Sequence, residues 1–344
     1  MKKYNIAIVG ATGLVGREFL NSLAQWDIVA NLYLVASERS KGQKVQFKDE
    51  EIKLITVEEA LKEKIDVAFF CAGSSISKKY GPLFAEGNTM VIDNSSYFRM
   101  DKDIPLIVPE VNGYELHRYK GKIIANPNCS TIQLAVILKH IEDLYGLKRV
   151  VVSTYQSVSG AGQKGVDELN NQILAYGKGT TYEPKVLPVA ADKVFYQMFN
   201  NILPQIDLFE DDGYTKEEHK MINETRKILN IPELPITVTT VRVPVFRCHS
   251  ESVNVETYKD INIEEFKEYL KKQQSIIVMD DIKNQVYPTP LHVSGKNEVF
   301  VGRIRRDNSV EHGLNMWIVA DNVRKGAAYN GLQILLYLIE NNLI

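Results

Sequence analysis

A chain of 344 residues, 44% hydrophobic and 24% charged, is long enough for two domains with sizeable cores. Its 41 Lys and Arg against 43 Asp and Glu leave a net charge of −2, which excludes a general nucleic-acid or membrane-surface partner, and no run of about 18 apolar residues is present to cross a membrane. Cys71, Cys129 and Cys248 are too widely spaced for a disulfide framework or a zinc pattern. The 6 His show no ligand spacing, so no metal is expected, and the N-terminus lacks a signal peptide, so the expected location is cytoplasmic.

Asn5 to Val9 reads as a buried strand, followed at once by Gly10-Ala11-Thr12-Gly13-Leu14-Val15-Gly16 and a helix from Arg17 to Gln25 with Phe19, Leu20 and Leu23 on one face. Strand, glycine turn and helix form the context of a dinucleotide fingerprint: glycines let the backbone approach a pyrophosphate, which rests on the helix N-terminus. The spacing, G-x-x-G-x-x-G, departs from the usual G-x-G-x-x-G, but all three glycines sit in the turn between strand and helix, which favours the fingerprint over a glycine turn that binds nothing. Leu32 to Ala36 is the second parallel strand. It ends in Ser37-Glu38-Arg39-Ser40-Lys41-Gly42, where Arg39, Ser40 and Lys41 favour the 2′-phosphate of NADP and Glu38 dissents. Ile65 to Cys71 and Met90 to Asp93 are further buried strands, ending in Ala72-Gly73-Ser74-Ser75 and Asn94-Ser95-Ser96. Small polar residues at the carboxyl ends of strands are where open α/β sheets bind ligands. Arg99 follows, with a guanidinium fork suited to phosphate or carboxylate, although alone an Arg in a loop is more often a surface charge.

Ile124-Ala125-Asn126-Pro127-Asn128-Cys129-Ser130-Thr131 is the stretch around which the chain is organised. An extended segment ends, Pro127 stiffens the turn, and Cys129 sits where a helix begins. Unpaired N–H groups and the positive end of the helix dipole favour a thiolate there. Beyond that helix the pattern turns β-rich from Lys148 to Tyr155 and then loops through Gln156-Ser157-Val158-Ser159-Gly160-Ala161-Gly162-Gln163. The stretch from Asn171 to Phe199 is mixed, with Pro184 and Pro188 against a long helix. Thr215 and Glu218 have the spacing of a capping box, which opens a helix to about Leu229. Thr237 to Tyr258 alternates like a strand, and extended throughout it would set Arg242 and His249 on opposite faces unless a bend intervened. Leu291 to Ile304 reads as a hairpin around Gly295-Lys296-Asn297, Asn315 to Ala320 as a last strand, and Asp321-Asn322 as the cap of a helix reaching about Glu340.

The segments Gly10–Gly16, Asn94–Met100, Asn126–Thr131, Gln156–Gly162, Glu217–Lys220, Arg242–His249 and Asp321–Ala328 together resemble the aspartate-β-semialdehyde dehydrogenases, most nearly the bacterial branch, in family order across nearly the whole chain. His219 stands where an aromatic such as Trp is expected. The resemblance implies an α/β fold: a Rossmann-type NADP-binding domain over 1–128, completed by a C-terminal helix over 322–344, and an α+β catalytic and dimerisation domain over 129–321 with a mainly antiparallel sheet. It implies an NADP(H)-dependent phosphorylating aldehyde dehydrogenase. That enzyme reduces L-aspartyl 4-phosphate to L-aspartate 4-semialdehyde, on the route to lysine, threonine, methionine and diaminopimelate. By motif, Cys129 is the nucleophile, His249 the acid/base, and Gln156 orients the thioacyl group. Arg99 and Lys220 hold phosphate, Arg242 the substrate carboxylate, and Glu217, in preference to Glu218, the ammonium. Gly10, Thr12, Gly13, Leu14, Val15, Gly16, Ser37, Arg39, Ser40, Gly73, Ser159, Gly160 and Asn322 line the cofactor. The expected partners are the small-molecule substrate and a second copy in a homodimer, or two dimers in a tetramer. The rival readings are N-acetyl-γ-glutamyl-phosphate reductase, a malonyl-CoA reductase, and a non-catalytic NADP-binding redox sensor.

Overall fold

The computed structural model describes residues 2–191 and 193–344. The chain forms two compact units. One takes the residues up to Asn128 together with Ala327–Ile344, and the other takes Cys129–Gly326. The return to the first unit thus comes at Ala327, five residues past the expected Asn322.

The first unit is a seven-stranded sheet. Its strands are β1 (Tyr4–Val9), β2 (Val29–Val35), β3 (Lys44–Phe47), β4 (Glu50–Ile55), β5 (Val67–Phe70), β6 (Met90–Asp93) and β7 (Ile123–Ala125), in the order β3-β4-β2-β1-β5-β6-β7. All pairings are parallel except β3 with β4. Its helices are α1 (Leu14–Leu23), α2 (Val57–Ala60), α3 (Ser74–Glu86), α4 (Pro109–Asn112) and the Tyr329–Glu340 segment. β5 and β6 are buried at every position because both sheet faces are covered. Alternation along β1 divides the core. Ile6 and Ile8 pack with Phe19 and Leu23 of α1 and with Leu332 and Leu335, while Ala7 and Val9 pack with Tyr80 and Phe84 of α3. The chain runs outward from β1 to one side, then returns to lay β5 on the other. The carboxyl ends of β1 and β5 therefore flank a topological switch point, where open α/β sheets place their ligands. The β3–β4 hairpin and α3 were not read from the sequence.

The second unit is a six-stranded mixed sheet. It contains β8 (Leu147–Gln156), β9 (Ile236–Arg242), β10 (His249–Thr257), β11 (Ile276–Val278), β12 (Val299–Asp307) and β13 (Gly313–Ala320), in the order β11-β12-β13-β10-β8-β9. The three central pairings are antiparallel and the two outer ones parallel. Helix α5 (Cys129–Tyr145), buried continuously from Ser130 to Leu138, packs on β8, β10 and β13. The remaining helices are α6 (Gly162–Gly177), α7 (Lys216–Leu229), α8 (Ile263–Leu270) and the single turn α9 (Pro290–Val293), with the Tyr329–Glu340 helix last in sequence as α10. Three expectations are corrected. Most of α6 occupies ground left without a helix. The proposed hairpin over 291–304 is α9, capped by the Thr289 hydroxyl, followed by β12. The single helix expected from 322 is a π-helical turn over Arg324–Ala328 and then α10, with Asp321 Oδ1 accepting from the N–H groups of Val323 and Arg324. Among the described residues no helix is long and apolar enough to cross a membrane.

Candidate functional site

Register assembles the core of the site in the second unit. Gln156, the last residue of β8, pairs with Arg242 at the end of parallel β9 on one side and with His249 at the start of antiparallel β10 on the other. Neighbours in register share a face, so all three side chains rise from one row. The run read as one strand is two strands separated by residues 243–248, which include Pro244 and end at Cys248 with a left-handed φ of 76°. This break is the bend that the alternation required.

Cys129 opens α5 on the same sheet, and its charge, with that of Glu217, acts on Arg242. Arg242 is buried and donates from Nη1 to the Ser157 carbonyl at 2.7 Å, and its Nε has no hydrogen-bond partner. Burial lowers its proton affinity, and the two nearby acidic groups oppose the shift. Gly160 lies against Arg242 and against the His249 ring edge.

His249 is 0% exposed. Its Nδ1 accepts the Ser157 backbone N–H at 3.1 Å, with Ser157 Oγ at 3.2 Å, while Nε2 is buried without a partner. A backbone N–H can only donate, so the neutral ring carries its proton on Nε2. Burial, and then the charge of Arg242, push the imidazole down to about 3. At neutral pH the ring is uncharged, and Arg242 is a cation whose charge interacts with Cys129.

The two adjacent glutamates separate by hydrogen bonding. Glu218 is consumed by structure: it closes the capping box with Thr215 and accepts from the Thr240 N–H at 2.8 Å, tying α7 to β9. Glu217 turns toward the row, with Oε1 at 3.4 Å from Gln156 Nε2 and Oε2 at 3.3 Å from Lys220 Nζ. Lys220 also donates to Asp207 Oδ2 at 2.7 Å. Sequence reasoning missed Asp207 and Ser157. Nothing local marks a carboxylate 13 residues ahead of its lysine, whereas Ser157 adjoins Gln156 and was within reach of the motif. Asn322 is buried. Its Oδ1 accepts from Ser157 Oγ, Ser159 Oγ and the Cys248 N–H, and its Nδ2 donates to Ser159 Oγ. Ser159, Gly160 and Asn322 thus gather at the His249 edge of the row.

The other expected residues lie in the first unit, at strand ends. Gly10 takes φ 91°, and a Cβ there would come within 2.9 Å of the Cys71–Ala72 backbone, so only glycine lets the turns after β1 and β5 close together. Helix α1 starts at Leu14 with Gly13 as N-cap, three residues earlier than the pattern suggested, and this sets Thr12 to Val15 at the helix N-terminus. Ser37 leads into a single 3-10 turn, Glu38–Ser40, after β2, with Arg39 exposed, and Gly73 caps α3 after β5. These groups suit a dinucleotide: a close backbone approach, N–H groups at two helix starts, and a cation with hydroxyls at the second strand. Arg99 is no surface charge. It is 8% exposed and donates from Nε to the Asn126 carbonyl and from Nη2 to the Asn94 carbonyl, beyond the ends of β7 and β6. No group of His, Cys, Asp and Glu suited to hold a metal ion occurs among the described residues.

Residues 5–119 match the family model of the semialdehyde dehydrogenase NAD-binding domain, and residues 138–325 that of the semialdehyde dehydrogenase dimerisation domain. The chain is 52% identical over 345 aligned residues to aspartate-semialdehyde dehydrogenase of Aquifex aeolicus and 47% identical to that of Bacillus subtilis, with 99% of both chains covered in each case. The crystal structure of Vibrio cholerae aspartate semialdehyde dehydrogenase II complexed with ASA superposes with a TM-score of 0.92 at 44% identity, covering 99% of both chains.

Proposed function

The chain belongs to the aspartate-semialdehyde dehydrogenase family, and we infer that it reduces L-aspartyl 4-phosphate to L-aspartate 4-semialdehyde with NADPH through a thioester on Cys129. The observation that carries this reading is the convergence of Gln156, Arg242 and His249 in one row of the sheet on which Cys129 opens α5. In biosynthesis this step leads toward lysine, threonine, methionine and diaminopimelate.

The Cys129 thiolate attacks the acyl carbon. The C–S bond forms, the C–O bond to phosphate breaks, and phosphate leaves as an anion toward the cations Lys220 and Arg99. Bound NADPH supplies the hydride that reduces the thioester carbon. The oxygen anion so formed meets the Nε2–H of His249, the residue placed for acid–base work, and its collapse to the aldehyde breaks the C–S bond and returns the thiolate. Gln156 orients the thioacyl group. Arg242, with Nε unpaired by the protein, holds the substrate carboxylate, and Glu217 holds the ammonium. Gly10, Thr12 to Gly16, Ser37 and Gly73 would cradle the dinucleotide, with Ser159, Gly160 and Asn322 completing the set. Arg39 and Ser40 would receive the 2′-phosphate. The dimerisation-domain match over 138–325 supports a homodimer. We take the enzyme to be cytoplasmic.

The test is phosphate-dependent reduction of NADP with L-aspartate semialdehyde, run beside N-acetylglutamate semialdehyde and with Cys129→Ala. Turnover on the first aldehyde alone, abolished by the substitution, is expected. Turnover on the acetylated aldehyde would overturn the assignment of Glu217, and activity without Cys129 would overturn the thioester.

A further inference from the structure

Lys220 serves two carboxylates. Its ammonium lies 2.7 Å from Asp207 Oδ2 and 3.3 Å from Glu217 Oε2, so one ammonium is shared between two carboxylates. Asp207 is held for this contact. It takes a left-handed φ of 68°, its Oδ1 accepts the Leu208 N–H at 2.8 Å, and although burial pushes its carboxyl up, Lys220, with Leu208 and Lys216, holds it below the usual range. Glu217 has a proposed task at the substrate ammonium, but nothing in the reaction requires Asp207. A second carboxylate on a phosphate-binding lysine opposes that binding, because a phosphate must compete with it for the same N–H donors and meets its charge a few Å away.

We propose that Asp207 is a positioning residue that limits the grip of Lys220 on phosphate, so that inorganic phosphate is released once the thioester has formed. The inference rests on Lys220 being a phosphate ligand, as proposed above. Asp207 contributes no atom to the reaction. It sets how tightly the leaving group is retained, and hence how strongly accumulated phosphate drives the reaction backward.

The experiment measures the KM for phosphate in NADP reduction, with the KM for L-aspartate semialdehyde as internal reference. Asp207→Asn keeps an oxygen for the Leu208 N–H and removes the charge. The KM for phosphate should fall about tenfold, the effect of one unit charge at this range between water-like and interior dielectric, while the KM for the aldehyde stays within about twofold. Asp207→Ser should move it in the same direction, and thermal unfolding of both variants verifies that they fold. Asp212→Asn removes an exposed carboxylate from the turn before α7, 3.0 Å from His219, the residue next to Lys220, and should leave the phosphate KM unchanged. An unchanged or raised phosphate KM in both Asp207 variants overturns the proposal, as does an equal fall in Asp212→Asn. Lys220→Met separates the underlying reading: its phosphate KM should rise steeply. If it does not, the assignment of Lys220 fails whatever the Asp207 variants do.

Discussion

Gly326 lies where the π-helical turn passes the start of α5, and a Cβ placed on it would sit 2.8 Å from Cys129 Cβ, 3.1 Å from its Cα and 3.2 Å from its carbonyl oxygen. Carbon pairs rest at about 3.5–4.0 Å, so Gly326→Ala requires a separation of roughly 0.7–1.2 Å between two backbone-anchored groups, with no flexible side chain to absorb it. Overpacking of this kind costs about 1–3 kcal/mol. Part of the displacement must fall on the nucleophile, and about 1 Å of misplacement reduces turnover on the order of a hundredfold. Gly331→Ala is the matched control: its Cβ would meet Phe19 Cζ at 2.7 Å, in the core of the first unit and at the end of a movable ring. The assay compares kcat for NADP reduction, the rate of Cys129 alkylation by iodoacetamide, and urea unfolding of both variants. Gly326→Ala should lose one to two orders of magnitude in kcat, whereas Gly331→Ala should lose stability with kcat within about twofold. A Gly326→Ala enzyme with unaltered kcat and alkylation rate refutes the claim that this glycine seats the nucleophile.

Arg39→Ala should weaken NADP binding about tenfold or more and leave NAD within about twofold, and equal loss of both in a fluorescence titration removes Arg39 from the 2′-phosphate. Arg242→Lys keeps the charge but loses the planar fork, so the KM for L-aspartate semialdehyde should rise about 10–100-fold with NADP binding intact; a KM within about threefold contradicts its place on the carboxylate. Glu217→Gln should raise the same KM with little change in stability, while Glu218→Ala should cost about 1–3 kcal/mol by opening the capping box and freeing the buried Thr240 N–H, with KM kept; the reverse pattern exchanges their roles. The unfolded chain protonates His249 near pH 6.5, and the folded chain resists until about 3. Stability therefore falls as pH drops through that window, by about 2 kcal/mol at pH 5 from this residue, and His249→Asn should remove that increment. Identical pH dependence of urea unfolding in variant and parent speaks against a buried neutral imidazole.

The elements legible in the sequence are those written by neighbouring residues. The capping box of Thr215 and Glu218 is a signal four residues long, and the turn from β1 through Gly10 to α1 is one continuous motif. The β3–β4 hairpin was illegible because it is an edge. Lys44, Gln46, Glu50, Glu51 and Lys53 are exposed charged or polar side chains that leave no apolar run, the usual means of keeping an edge from pairing further. The stretch over 291–304 contains a turn residue, Gly295 at φ 82°, which reads equally as a hairpin tip or as the end of a single capped helical turn. Only the pairing of β12 with β11 and β13 decides between them.

At the site, residue types could be read but their juxtaposition and charge could not. Arg242 and His249 belong to one alternating run, and their meeting depends on β8 accepting β9 in parallel and β10 in antiparallel register at the same residue, Gln156. Register with a third strand is a non-local fact, although Pro244 did mark where the run had to break. Charge state is less local still. An imidazole beside a thiol suggests an ion pair, and a helix N-terminus strengthens the suggestion. Complete burial, the neighbouring Arg242 and a backbone N–H at Nδ1 decide against it, and each comes from a different part of the chain. The buried Arg242 guanidinium, which keeps its proton across the physiological range, therefore supplies positive charge to Cys129 where the imidazole does not, and His249 is left to present one fixed N–H. A site arranged this way holds its charges constant while substrate charge passes through it, and that constancy follows from packing that no single motif encodes.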